Sequence, residues 1–360
     1  MLELIDLPAT TAVRPDYDES RSIVRDAYAR LDETSRNKRA RELATILGLT
    51  EAQWVAAQCE VIRSIPLAGS PAEIFSHVGR LGEAMALTRN DFCVHERHGQ
   101  YLHIKADSPV GLVLGPDIDL RMFFSSWTHV WAVEEKGRCS LQFFDNAGVA
   151  VHKIYCTGKT NMSEYVALVR EFASDEPVWP IAQPSVPDLA TDCVEDVPAL
   201  RAAWLAMGDT HEFFPLLRRF NVKRIAAVRA VGPDLAQPVA TDAVETMLPA
   251  VARSGLSIMC FVANQGMVQI HTGPVNRIQR TGSWLNILDP AFNLHLDVTQ
   301  VASTWVVNKP SRDGWITSLE LYADSGELIV QFFGARKPGS PELTEWRALL
   351  AGMCREPLAK

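Results

Sequence analysis

The chain carries one design twice, and this restricts its fold more than any other feature. WAVEEKGRCSLQFFDNAG, from Trp131, has a counterpart in WVVNKPSRDGWITSLELYADSG, from Trp305. In both, an apolar strand opens on tryptophan, a polar turn follows, and S-L-x-[FL]-[FY] leads to a turn closed by Gly148 or Gly326. Upstream, FCVHERHGQYLHI (from Phe92) pairs with MCFVANQGMVQIH (from Met259), each reading as strand, glycine-containing turn, strand. DLRMF around Arg121 lines up with NLHLD around His295, and YVALVREF with LTEWRALL as a closing helix. Each copy also opens with a helix, a short turn and a second helix: KRARELATILGLTEAQWVAAQ from Lys38, and HEFFPLLRRFNVKRIAAVRAV from His211. In that alignment His211 falls opposite Lys38.

The repeat sets the domain expectations. EPVWPIAQPSVPDLATDCVEDVPAL, with Pro177, Pro180, Pro184, Pro187 and Pro198, is too proline-rich for regular structure and suits a semi-extended connector over 176–200. It separates an N-terminal copy over 21–175 from a C-terminal copy over 201–356, with residues 1–20 as an extension open to disorder. The expected class is α+β with internal duplication. Each half has leading helices, a mostly antiparallel sheet and a closing helix, with a ligand cleft between the halves.

At 360 residues with 47% apolar content, the chain has material for two real cores. A formal charge of −8 argues against a general nucleic-acid binder, whose footprint is a basic excess. The N-terminus lacks a basic start and a long apolar run, and nothing approaches the about 18 uninterrupted apolar residues of a spanning helix. The seven cysteines include no C-x-x-C pair, C-x-x-C-H or Cys-Pro, and their odd number fits a reducing compartment. G-x-S-x-G, the P-loop and G-x-G-x-x-G are all absent, which removes the usual hydrolase and nucleotide readings.

One histidine has a distinctive setting. In DTHEFFPLLRRF, Asp209 and Glu212 have the spacing of a capping box, predicting a helix that starts at Asp209. Phe213, Leu216, Leu217 and Phe220 recur as an apolar face, which at about 100° per residue leaves His211 on the opposite side. In a first turn, the positive end of the helix dipole disfavours the imidazolium. An outward, neutral imidazole is what a metal centre needs, although many first-turn surface histidines have no such role. His95, His98 and His103 crowd one hairpin, with His95 and His103 on one face and His98 in the turn, and make no recognisable zinc spacing. His152 and His271 read as ordinary strand residues, and His295 mirrors Arg121 in the repeat.

These blocks resemble the HemS/HmuS/ChuS family of bacterial cytoplasmic haem-handling proteins. The resemblance runs over nearly the whole chain, through VHERHG (94–99), LGPDIDLRMF (114–123), SLQFFDNAGVAVHKIY (140–155), DTHEFFPLLRRFNVKR (209–224), VQIHTGPV (268–275), WLNILDPAFNLHL (284–296) and TSLELYADSGELIVQFFGARKPG (317–339). It implies that His211 is the axial ligand of haem iron and that Arg121, in D-L-R-M-F, is a distal arginine over the opposite haem face. It further implies that Arg224, Lys309 and Arg336 are polar groups around the propionates. Where relatives often carry tyrosine before the G-x-R, this chain has Phe333, so a phenol hydrogen bond is absent. Phe213, Phe214, Phe123, Phe124 and Phe333 are candidate apolar walls.

For function the resemblance implies cytoplasmic binding of haem b through one histidine and its degradation to release iron, with Arg121 on the oxygen-reactive side. The alternative is a carrier that takes haem from an inner-membrane importer and passes it to a separate oxygenase. A single histidine with a displaceable distal arginine suits both, because an open sixth position admits oxygen and a one-sided bond eases transfer.

Overall fold

The computed structural model describes residues 15–59, 61–107, 109–174, 176, 178–184, 189–337 and 339–360. Of the expected N-terminal extension, residues 1–14 lie outside the described residues, as do Pro177 and Pro187 of the expected connector. The rest divides into two compact units. The first takes its described residues from Met1–Thr88, Glu96–Val186 and Asn264–Gln269; the second takes them from Arg89–His95, Pro187–Ala263 and Ile270–Lys360. Two short segments, 89–95 and 264–269, are therefore assigned to the unit opposite their sequence neighbours, which a division at a single linker does not foresee.

The first unit runs α1 (Pro15–Ala29), α2 (Glu33–Arg36), α3 (Ala40–Ile46), α4 (Glu51–Ala57), β1 (Ile62–Pro66), α5 (Pro71–Ser76) and β2 (Gly82–Arg89). It continues through β3 (Cys93–Gln100), β4 (Val110–Leu114), β5 (Asp119–Phe123), β6 (Trp127–Glu135), β7 (Arg138–Asp145), β8 (Ala150–Thr160) and α6 (Met162–Phe172). The second runs α7 (Val197–Leu205), α8 (Phe213–Arg219), α9 (Arg224–Ala230), β9 (Ala236–Val239), α10 (Ala243–Ser254), β10 (Ile258–Ala263) and β11 (Met267–Gly273). It ends with β12 (Ile278–Thr281), β13 (Trp284–Leu288), β14 (Phe292–Asp297), β15 (Ser303–Ser311), β16 (Gly314–Tyr322), β17 (Leu328–Gly334) and α11 (Thr344–Ala351). Helix α1 begins inside the expected extension. Helix α7 begins inside the expected connector, because Asp196 caps it and Pro198 sits in its first turn, where a missing N–H costs nothing.

The duplication is visible in strand order. In the first unit the antiparallel order is β1-β6-β7-β8-β2, and in the second β9-β15-β16-β17-β10. Each central sheet is covered on both faces, so its strands are near-continuously apolar rather than alternating. Trp131 and Val133 pack under α1, α3 and α4, whereas Val130 and Ala132 face α5 and α6. Likewise Trp305 and Val307 pack under α7–α9, and Val306, Leu319 and Phe332 under α10 and α11. Helix α6 shows the local logic: Asn161 caps the N–H of Glu164, and Tyr165, Leu168, Val169 and Phe172 bury one face at helical spacing.

One pairing expected from the sequence is shifted. FCVHERHG forms no hairpin at Gly99; it is one continuous strand, β3, with His98 inside it. The turn lies earlier, at Asn90, whose backbone N–H donates to Cys93 and whose Oδ1 accepts from Phe92 and Cys93 N–H. Asn264 does the same work in the second copy, donating to Met267 and accepting from Gly266 N–H. The true counterpart of β10–β11 is thus β2–β3. An asparagine turn, whose side chain satisfies the exposed amides, marks both.

Candidate functional site

The second unit brings His211 to the surface on a turn that is not part of an α-helix. Residues Thr210–Glu212 form one 3-10 turn, and the α-helix begins at Phe213. The expected helix start at Asp209 is therefore corrected, and Pro215 supplies the reason. A regular helix through this segment would need an N–H from residue 215 to the carbonyl of His211, and proline has no N–H and sterically opposes that carbonyl. The capping box changes accordingly. Asp209 accepts from His211 N–H at 2.8 Å, and Glu212 reaches back to Gly208 N–H at 3.2 Å. The carbonyl of Gly208 in turn accepts from Arg312 N–H at 2.9 Å, tying the turn to the β15–β16 hairpin.

The expected amphipathic face is present. Phe213, Leu216 and Leu217 are buried and Phe220 half-buried, while the His211 side chain is 89% exposed. Asp209 Oδ1, which caps the turn, also accepts from His211 Nδ1 at 2.6 Å. A carboxylate only accepts, so Nδ1 carries the proton and Nε2 is the nitrogen with the available lone pair. The Asp209 carboxyl is held below its usual range, chiefly by the His211 backbone N–H and further by the His211 ring and Arg336.

Under this turn lies a charged cluster within the helix–sheet core of the second unit. Glu320, on β16, is fully buried. Its Oε1 accepts from Arg224 Nη2 at 2.7 Å, Lys309 Nζ at 2.8 Å and Ser318 Oγ at 2.9 Å. Its Oε2 accepts from Arg224 Nε at 2.9 Å and from the Tyr322 hydroxyl. The Phe213 ring sits against both cations, with Lys309 Nζ at 4.6 Å and Arg224 Cζ at 4.9 Å from its centroid, and Trp204 meets it edge-on at 4.8 Å. Burial works against the Glu320 anion, but Arg224 and Lys309 overcome it and hold the carboxyl well below the usual range. Burial and the neighbouring Arg224 lower Lys309 to about 8 despite its bond to Glu320. Two cations share one carboxylate, so with Lys309 protonated the cluster carries one excess positive charge.

The same place in the first unit holds the opposite arrangement. Glu51 occupies the helix position equivalent to Arg224, Gln142 stands for Glu320, and Lys153 of β8 pairs with Glu51 at 3.1 Å. The acid sits on the helix there and on the sheet here. Lys38, the counterpart of His211, is an exposed partner of Glu42. Only the second copy therefore combines an outward imidazole with a cationic cluster beneath it.

The remaining expected residues fall as follows. Arg336 donates to Asp313 at 2.7 Å and lies close enough to Asp209 to act on its charge. Phe333, on β17, is half-exposed and meets Phe261 edge-on at 5.0 Å. Through the strand register, Ser318 and Met259 stand opposite Phe333 on the same sheet face. Arg121 belongs to the first unit, on β5, where its guanidinium is paired with Asp119 and donates to the carbonyl of Leu120 at 3.0 Å; Asp117 is taken by Arg97. Among the candidate walls, Phe214 is 62% exposed and Phe123 half-exposed, whereas Phe213 is core and Phe124 packs against Trp127 and Phe75. The shallow depression lined by Ser70, Glu73, Ser76, Ile104, Lys105 and Asp107 holds none of these residues.

Two contributors escape sequence reading: Glu320, and Asp209 as a ring partner. A signal existed for the first. Arg224 and Lys309 fall where the first copy has Glu51 and Glu135, so the repeat reverses charge at both positions, and the Glu of S-L-E-L-Y, where the first copy has Gln142, is the acid that answers them. Because the Asn286 amide NH2 donates to the Gln279 and Trp284 carbonyls, its Oδ1 faces the ring, and His295 Nδ1 donates to it at 2.6 Å. Among the described residues, no group of three His, Cys, Asp or Glu side chains forms a metal site.

Fold and site together define a duplicated α+β protein in which one copy alone displays a carboxylate-held imidazole beside concentrated positive charge. The chain belongs to the family described as the haemin-degrading HemS.ChuX domain, matched over residues 48–172 and 221–353. It is 36% identical over 340 residues to the hemin transport protein HemS of Yersinia enterocolitica, covering 93% of this chain and 98% of that one. Among solved structures it is similar to holo-PhuS, a heme-binding protein from Pseudomonas aeruginosa, with 40% identity, a TM-score of 0.88, and coverage of 92% of this chain and 99% of that one. It is also similar to the heme degrading enzyme ChuS of Escherichia coli O157:H7, with 34% identity, a TM-score of 0.85, and coverage of 93% and 99%.

Proposed function

We propose that this protein binds haem b in the bacterial cytoplasm, takes the iron on Nε2 of His211, and degrades the macrocycle to release iron. The observation that carries this reading is the His211 ring: it is exposed, and Nδ1 is engaged by Asp209, so a single nitrogen is left for a metal. A haem brings four pyrrole nitrogens of its own, which fits a site offering one ligand and no metal-binding cluster. Its two carboxylates fit the excess positive charge of the Arg224–Lys309–Glu320 cluster and the nearby Arg336. Its flat apolar body suits Phe214, Phe333 and Phe261. Support from relatives is of the same kind, since one is called a heme-binding protein and another a heme degrading enzyme.

For Arg121 the support is the D-L-R-M-F block alone. Its guanidinium would exchange the Asp119 carboxylate for an oxygen ligand on iron, which an always-charged donor can do without titrating. A second reading, haem carriage from an inner-membrane importer to a separate oxygenase, is favoured by the 89% exposure of His211. A ligand standing on a surface turn is easily handed over, and the relative called a hemin transport protein is consistent with it. No helix among the described residues is long and apolar enough to cross a membrane.

Titration with hemin tests the first step. The wild-type chain should take up one equivalent, and His211→Ala should weaken uptake by more than about tenfold, or about 1.4 kcal/mol, and shift the Soret band. Equal affinity and an unchanged spectrum would remove His211 from the site. Incubation of the complex with a reductant and catalase then separates the two readings. Loss of the Soret band with release of chelatable iron supports degradation, and intact haem that moves only when an oxygenase is added supports carriage.

A further inference from the structure

We propose that Asp209 is the positioning residue for His211: its carboxylate selects the tautomer, aims Nε2 outward, and strengthens that nitrogen as an electron donor to iron. This rests on the haem reading above and deepens it, giving Asp209 a role beyond occupying Nδ1. The argument is geometric. One oxygen, Oδ1, accepts from the His211 backbone N–H at 2.8 Å and from Nδ1 at 2.6 Å. The first bond fixes where the residue sits, and the second fixes how its ring turns. An imidazole 89% exposed on a surface turn has little packing to hold it, so this bond is what orders it. A carboxylate on the far nitrogen also increases the basicity of the ligating one, a common arrangement around metal-bound histidines.

The surroundings hold that carboxylate in place. Arg336 acts on it electrostatically while held by Asp313 at 2.7 Å. Gly208, its neighbour, is bonded to Arg312 and Glu212, so the backbone before Asp209 is fixed on both sides. Glu212 is occupied with the Gly208 N–H and leaves the ring to Asp209.

A purely structural cap and a ring-positioning carboxylate make different predictions for two substitutions. Asp209→Ser keeps an oxygen able to cap the His211 N–H but is too short to hold Nδ1; Asp209→Asn keeps the length and loses the charge. Both should unfold at the wild-type urea midpoint. Asp209→Ser should bind hemin 10–100-fold more weakly, the typical effect of removing an outer-shell partner of a metal ligand, with Asp209→Asn in between. In the reduced complex both should raise the iron midpoint potential and lower the iron–histidine stretching frequency, neither of which a cap alone would move. Wild-type affinity, potential and frequency in both variants would overturn the proposal while leaving the haem reading intact, provided His211→Ala still loses binding. If His211→Ala binds hemin as the wild type does, the haem reading fails and this inference falls with it.

Discussion

Replacing Glu320 with glutamine removes the one anion that two buried cations share. At present Oε1 receives three donors and Oε2 two, all from within the core of the second unit. An amide in its place must point its NH2 group at one of these sets; the Ser318 or Tyr322 hydroxyl can turn to accept from it, but Arg224, and on the Oε1 side Lys309 as well, cannot, so at least one cationic N–H then faces a donor. Arg224 cannot give up its proton, whereas Lys309, already lowered to about 8, can. At neutral pH the variant should therefore partly relieve itself by releasing the Lys309 proton, leaving Arg224 as the uncompensated charge. Breaking a buried ion pair from one side costs about 3–5 kcal/mol, and the retained amide oxygen places Glu320→Gln near the lower end of that range. Equilibrium urea unfolding followed by circular dichroism measures the loss. The triple variant Arg224→Met, Lys309→Met, Glu320→Gln, which removes both cations, should recover most of it, because apolar side chains of similar volume often replace a buried ionic cluster without net cost. A loss below about 1 kcal/mol for Glu320→Gln alone would refute the reasoning, since it would mean that water reaches the cluster and screens it.

Two further outcomes follow from the first unit. His152 is fully buried, with Nδ1 on Thr88 Oγ1 and Nε2 on the Tyr101 hydroxyl, both at 2.9 Å, and burial lowers it to about 3. Between pH 6.5 and 3 the unfolded chain binds a proton that the folded chain refuses, so stability should fall with acidification across that window. The wild type should lose up to about 1.4 kcal/mol per pH unit more than His152→Gln, and parallel unfolding curves for the two would exclude this origin. Gly148→Ala should lower the melting temperature. Gly148 has φ +76°, and a Cβ there would lie 2.4 Å from Thr50 Oγ1, the cap of α4, at a cost of about 1–3 kcal/mol. An unchanged melting temperature would mean that the turn and the cap move apart freely.

Much of the architecture was legible because it rests on local chemistry repeated at a fixed order. Gly148 and Gly326 close equivalent turns with φ +76° and +84°, and Gly48 and Asn221, at φ +67° and +48°, join equivalent helices. Positive φ suits glycine and asparagine, so residue type reports conformation directly. The apolar runs through Trp131 and Trp305 likewise announced strands, and the structure covers those strands on both faces. The same reasoning slipped where a choice between turns depended on distant partners. Gly99 looked like a turn glycine, yet the chain turns at Asn90, and Gly99 sits where a Cβ would strike Asp117. Pro215 could have corrected the start of the helix after His211, because its missing N–H is a local fact.

By itself, then, the sequence determined the duplication, the class of each copy and the presence of one outward histidine with no counterpart in the other copy. These follow from residue spacing and backbone preference, which act over a few positions. Tertiary structure alone decided that Glu320 joins Arg224 to Lys309, whereas Asp209 with His211 and Asp119 with Arg121 are pairs two positions apart that local backbone geometry brings together. Arg224 and Glu320 are 96 residues apart, and Lys309 and Glu320 meet only because their strands pair. A charge's partner is set by what the fold brings within about 3 Å of it, and no periodicity along the chain encodes that distance.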